Sequence, residues 1–179
     1  MSAWLRSRER RPPRVALVAA MKTEAAYLAD WVHHHLYFGF DPIEIHVNRS
    51  DDGTEELARA IARVEPRLSV FNVDHFDRQF GPQANVQTLA LREARHRLKR
   101  DLERADYLCF LDADEFWTPV DFRSSIQDVL GDADHPRIAA FNWFNRIGDH
   151  PAFGPPFPDR VRLRPHRMVK TCFRARTYA

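Results

Sequence analysis

Apolar positions along this chain follow two alternating rhythms. Short, mostly apolar runs stand at RVALVAAM (Arg14 to Met21), IEIHV (Ile43 to Val47), RLSVFNV (Arg67 to Val73) and YLCFLDA (Tyr107 to Ala113). Runs of this length between polar segments predict strands buried on both faces. The segments between them have helical spacing. In KTEAAYLADWVHHHLYFGF, Leu28, Trp31, Val32, His35 and Leu36 share a face, and Gly39 is a helix stop. SDDGTEELARAIARV reads as a turn and then a helix whose first turn carries Glu55 and Glu56, where the helix dipole favours acids. PQANVQTLALREARHRLKRDLERA predicts a long helix with Leu91, Ala94, Leu98 and Leu102 on one face. A short helix near Phe122 to Leu130 and a strand RIAAFNWF follow. The order βαβαβαβ predicts an α/β fold, a mostly parallel sheet with helices on both faces.

Composition narrows the picture. At 179 residues the chain can form one domain with a real core, expected over 14–179 behind a disordered basic tail, 1–13. A net charge of +2 supplies no bulk attraction to nucleic acid. No apolar run approaches the roughly 20 residues a membrane helix needs. The N-terminal MSAWLRSRERRPPR lacks a signal peptide's apolar core, so the expected setting is cytoplasmic. Contact of that basic tail with an anionic membrane surface is the alternative, which would make the protein peripheral. Cys109 and Cys172 have no metal-ligand spacing and are expected to be reduced.

The most informative stretch is YLCFLDADEFW, Tyr107 to Trp117, where a buried strand runs into Asp112, Asp114 and Glu115. In open parallel sheets ligands bind beyond the carboxyl ends of the strands. Residues i and i+2 of an extended segment share a side, so Asp112 and Asp114 can converge across the small Ala113 if the segment stays extended. Two close carboxylates repel unless a cation lies between them. A hard divalent ion, Mg²⁺ or Mn²⁺, suits such oxygens and completes its shell with water and substrate phosphates. The competing reading is a solvated turn.

FLDADEF also resembles the Asp-x-Asp motif of glycosyltransferases with the GT-A (Rossmann-like) fold, and the family 2-like group in particular. ALVAAMKTEAAYLADWVHHHLYFGFD is similar to that family's opening strand, Lys-Asn-Glu segment and first helix. IEIHVNRSDDGTEEL resembles its second strand and Asn-x-Ser-x-Asp-Gly-Thr turn, and QANVQTLALREAR its helix that opens with Gln. Together these cover residues 14 to 148. The resemblance implies transfer of a sugar from a nucleotide-diphosphate donor, most often a UDP-sugar, to a glycan, lipid or protein acceptor. It implies that Asp112 and Asp114 hold the metal bridging the donor phosphates. Glu24 and Asn48 would line the nucleoside pocket, Asp52 would order its turn, and Gln83 would face the donor. FNWFNRIGDH resembles an acceptor-side segment, which makes Asp149 and His150 candidate bases. Residues 14–117 would then form the nucleotide-sugar half. Residues 118–179 would form an acceptor half that looks short, and slow transfer by this chain alone is expected.

The sequence departs from the family at two points. Thr23 stands where Asn is frequent, and Val47 where a base-gripping carboxylate commonly sits. Other patterns carry less. Three histidines in a row, His33 to His35, cannot converge on a helix because consecutive residues point about 100° apart; His35 is expected inside and the others in water. RVRLRPHRMVK (Arg160 to Lys170) has no acid and reads either as a contact for phosphates or an acidic acceptor, or as a charged edge strand. The Pro-rich HPAFGPPFP reads as a stiff loop or a lid. Two rival functions remain: a metal-dependent phosphatase of the haloacid dehalogenase kind, and a non-catalytic nucleotide-binding remnant of a transferase.

Overall fold

A computed structural model describes residues 11–81, 85–100, 105–132, 136–148, 154–155, 157 and 160–175. Its sheet has six strands, β1 (Val15–Met21), β2 (Ile43–Val47), β3 (Leu68–Asn72), β4 (Tyr107–Phe110), β5 (Ile138–Ile147) and β6 (Arg162–Arg174), in the order β3-β2-β1-β4-β6-β5. The first four are parallel, and β6 joins β4 antiparallel and carries β5 along the edge. The mostly parallel α/β fold expected from the alternation is the one observed. Only Cys172–Arg174 of β6 pair with β4, so its exposed basic stretch, residues 162–169, is paired on one side alone, with β5.

Among the described residues five helices accompany these strands, α1 (Ala25–Tyr37), α2 (Thr54–Ala62), α3 (His75–Phe80), α4 (Val86–Arg100) and α5 (Ile126–Asp132); α3 was not foreseen.

Alternation along the strands sorts the core into two layers. On one face Val15, Leu17, Ala19, Ile43 and Ile45 pack with Leu28, Trp31 and Val32 of α1, Ala58 of α2, and Ile126 and Leu130 of α5. On the other, Ala16, Val18 and Leu108 meet Ala94 and Leu98 of α4. Each large apolar side chain fully buried this way contributes about 1.5–3 kcal/mol. Leu102 and the end of the predicted long helix lie outside the described residues. Gly39 (φ +90°) ends α1 where expected, and a Cβ there would strike the Gln127 side chain.

The expectation of reduced cysteines is overturned. Cys109 of β4 and Cys172 of β6 are paired across the antiparallel ladder, with Cα atoms 4.3 Å apart, and form a disulfide. Directly opposed residues of a non-hydrogen-bonded antiparallel pair come this close. Nothing in their spacing of 63 residues reveals it. Near the N-terminus, Arg11 pairs with Asp106 at 2.9 Å and Pro13 is buried, so these residues of the predicted tail lie against the domain.

Candidate functional site

The strand order reverses at β1: β2 and β3 lie to one side of it, β4 to the other. Crevices at such switch points, beyond the carboxyl ends of the strands, are where open α/β sheets bind ligands. The segments leaving β1, β2 and β4 carry Glu24, Asn48 and Asp112.

After β4 the chain does not stay extended. The Glu115 N–H donates to the Asp112 carbonyl at 3.1 Å, and Glu115 Oε2 accepts from the Asp112 N–H at 2.9 Å. This turn corrects the extended geometry expected from the sequence. Ala113 packs into the core, while Asp114 is exposed. Asp112 Oδ2 accepts from Lys170 Nζ at 2.9 Å, and its other oxygen accepts from the Gln87 amide of α4. Lys170 Nζ also lies 2.8 Å from Glu115 Oε2 and 5.1 Å from the centre of the Trp143 ring. Glu115 Oε1 is buried with no hydrogen-bond partner among the described residues. Burial pushes the Glu115 carboxyl above its ordinary range, more than the Lys170 ammonium returns. Burial would lower Lys170, but Glu115 and Asp112 outweigh it and hold the ammonium above its usual value.

Helix α1 grips this turn from behind. The Trp31 indole N–H lies 2.9 Å from the Glu115 carbonyl and 3.2 Å from that of Asp112. His34 Nε2 lies 2.8 Å from the Trp117 carbonyl, and His35 Nε2 accepts from the Trp117 N–H at 3.2 Å. Positions i, i+3 and i+4 of one helix thus hold one turn. His33 is exposed and His35 buried, as expected, but His34 is half-buried rather than in water. Its ring stacks on Phe157, the one aromatic of the Pro-rich loop that lies among the described residues.

On the β1–β2 side, Asp52 Oδ2 accepts from the Ala25 N–H at 2.9 Å and its other oxygen from the Thr54 N–H at 3.0 Å. Asp52 therefore caps α1 from another element and orders the turn. Glu24 is the N-cap residue of α1 but makes no side-chain cap. Its carboxyl is raised by burial, then by the negative charges of Asp114 and Asp52. Asn48 is buried and donates to Asp77 Oδ2 at 3.0 Å, and Arg49 Nε meets the same oxygen at 2.8 Å. Val47 is in the core.

The site residues read from the sequence thus divide. Glu24, Asn48, Asp52, Asp112 and Asp114 lie in the segments leaving β1, β2 and β4. Gln83, Asp149 and His150 lie outside the described residues. Glu115, Gln87 and Asp77 were not singled out as site residues, and Lys170 was read only as part of the basic stretch Arg160 to Lys170. Lys170 ends the acid-free stretch RVRLRPHRMVK and Gln87 stands four positions after Gln83 in the sequence, so weak signals existed for both.

Among the described residues no group of three or more His, Cys, Asp or Glu side chains is arranged to hold a metal ion. Mg²⁺-type sites need only one or two carboxylates when substrate phosphates and water supply the rest. Asp112 and Asp114 supply carboxylates of the kind such a substrate-completed site uses.

No protein-family model matches the chain. No curated protein matches it either. Among solved structures, it is similar to the mannosyltransferase PcManGT from Pyrobaculum calidifontis in complex with GDP-Man and Mn²⁺. The TM-score is 0.50 at 18% identity, over 72% of this chain and 34% of that one. The chain therefore spans about a third of that protein's length. A 4-diphosphocytidyl-2C-methyl-D-erythritol synthase matches with a TM-score of 0.48 at 13% identity, over 92% and 76% of the two chains. The bifunctional glycosyltransferase WbbM, in its apo structure, matches at 0.40 and 17%, over 73% and 23%. The fold is GT-A-like.

Proposed function

We propose that the chain binds a nucleotide-diphosphate sugar across the crevice beyond β1, β2 and β4 and takes part in transferring the sugar to an acceptor hydroxyl. The observation that carries this reading is the acidic turn at the end of β4, braced from three elements beside the strand-order switch. Glu24 and Asn48 would line the nucleoside side, and Asp52 holds the turn between them. Asp112 and Asp114 would hold Mn²⁺ or Mg²⁺, which supplies positive charge to the departing diphosphate. The braces from Trp31, His34 and His35 keep the turn in place, so the carboxylates need little reorganisation on binding. A base on the acceptor side, Asp149 or His150, would take the hydroxyl proton. A UDP-sugar is the donor the sequence resemblance favours, and the acceptor would be a glycan, lipid or protein.

Calorimetric titration with UDP, GDP and CDP and their sugars, with and without Mn²⁺, tests the reading. Metal-dependent binding of a nucleoside diphosphate is expected. Hydrolysis of p-nitrophenyl phosphate with no nucleotide binding would replace the transferase by a phosphatase.

A further inference from the structure

Lys170 comes from β6, far along the chain from the acidic turn, yet its ammonium contacts two carboxylates of that turn at 2.9 and 2.8 Å. Its side chain is one-quarter exposed and lies over the Trp143 ring. An ammonium over an aromatic face is further stabilised by the ring's negative potential. The long flexible stem lets the charge move by several ångströms without moving the strand. Asp112 Oδ2, the oxygen this lysine holds, belongs to a carboxylate placed above in the metal-binding pair. An ammonium held close to that oxygen disfavours a divalent cation there, because the two cations repel.

We propose that Lys170 is the resident counter-cation of the Asp112–Glu115 pair and becomes a positioning residue for the donor's diphosphate once Asp112 is released. This rests on the nucleotide-sugar reading above. In the free protein the ammonium offsets the repulsion between the two carboxylates. On donor binding it exchanges carboxylate oxygens for phosphate oxygens, a ligand that Lys serves as a point charge. Lys170 thus acts in opposite directions on two ligands: it competes with the bare metal ion and favours the metal–nucleotide pair.

The test compares wild type with Lys170→Met. Mn²⁺ alone is titrated by the loss of its free-ion paramagnetic resonance signal, and UDP and GDP by calorimetry in saturating Mn²⁺. The variant should bind Mn²⁺ alone about tenfold more tightly and the nucleoside diphosphate about tenfold more weakly, each factor corresponding to about 1.4 kcal/mol. A merely structural lysine would move both affinities in the same direction or neither, and either result overturns the proposal. If wild type binds neither Mn²⁺ nor nucleotide, the nucleotide-sugar reading falls and the lysine proposal with it. If wild type binds both and the variant changes neither, only the lysine proposal falls. Should Lys170→Met fail to fold by circular dichroism, Lys170→Gln repeats the comparison with an uncharged donor in place.

Discussion

The imidazole Nε2 of His35 accepts a hydrogen bond from the backbone N–H of Trp117, 82 residues away, while Nδ1 lies 2.8 Å from the Trp31 carbonyl. Only the neutral ring with its proton on Nδ1 satisfies both partners. Burial, then the neighbouring His34, lowers the His35 pKa to about 3, against a smaller opposing effect of the Trp31 carbonyl. A histidine lowered in the folded state contributes stability that is present above its unfolded pKa of 6.5 and lost as pH falls toward 3. The slope from this group is about 1.4 kcal/mol per pH unit in that window. Urea unfolding at pH 7, 6 and 5 should show it, and His35→Gln should flatten it. An equal slope in the variant would dissociate acid sensitivity from this contact.

Asp112 and Asp114 are predicted to differ in their effect on the ligand-free protein. Asp112→Asn removes a partner of Lys170 and should destabilise by less than about 1 kcal/mol, since the pair is partly exposed. Asp114→Asn removes an exposed charge near other acids and should leave stability equal or slightly raised. Both should weaken Mn²⁺-dependent nucleotide binding at least about tenfold, or about 1.4 kcal/mol. Unchanged nucleotide affinity in either variant would remove that carboxylate from the metal site.

Glu24 reports on Asp114 independently of any ligand. Loss of the Asp114 charge should move the Glu24 carboxyl down toward its ordinary value of 4.5. The shift is read from the side-chain carboxyl resonance in an NMR pH titration of Asp114→Asn. A Glu24 titration identical to wild type would mean that the two acids do not face the same crevice.

Trp31→Phe keeps an aromatic in the core but removes the N–H directed at the Asp112 and Glu115 carbonyls. The Asp112 carbonyl keeps the Glu115 N–H, but the part-buried Glu115 carbonyl loses the indole donor, at a cost of about 1–3 kcal/mol. Thermal unfolding should register that loss, together with weaker nucleotide binding, because the acidic turn loses a brace. Full stability with full affinity would show that His34 and His35 suffice.

The Cys109–Cys172 bond ties β4 to β6, the strand that delivers Lys170. Replacing both cysteines by Ala should lower stability by about 2–4 kcal/mol, the usual range for a disulfide closing a loop of this size. Mass spectrometry after alkylation, with and without reductant, first establishes the bond. Two free thiols in the unreduced protein would refute it.

The strands and helices of the parallel half were legible because each is governed by its own local pattern. IEIHV predicts β2 with its observed bounds, and Leu28, Trp31, Val32 and His35 are buried on the predicted face of α1. The acids after β4 were also legible, since chain chemistry and strand end coincide there. The shape of that turn was not: an extended segment and a turn are both open to Asp-Ala-Asp-Glu, and contacts with Trp31, His34, His35 and Lys170 accompany the turn. Those partners lie dozens of residues away, on α1 and β6. Likewise Cys109 and Cys172 meet only because β6 runs antiparallel beside β4. Local periodicity determined which residues face inward, because that depends on neighbours a few positions apart. Which charged group answers which was decided only by tertiary structure, because it depends on the register between elements that the chain joins by long connections.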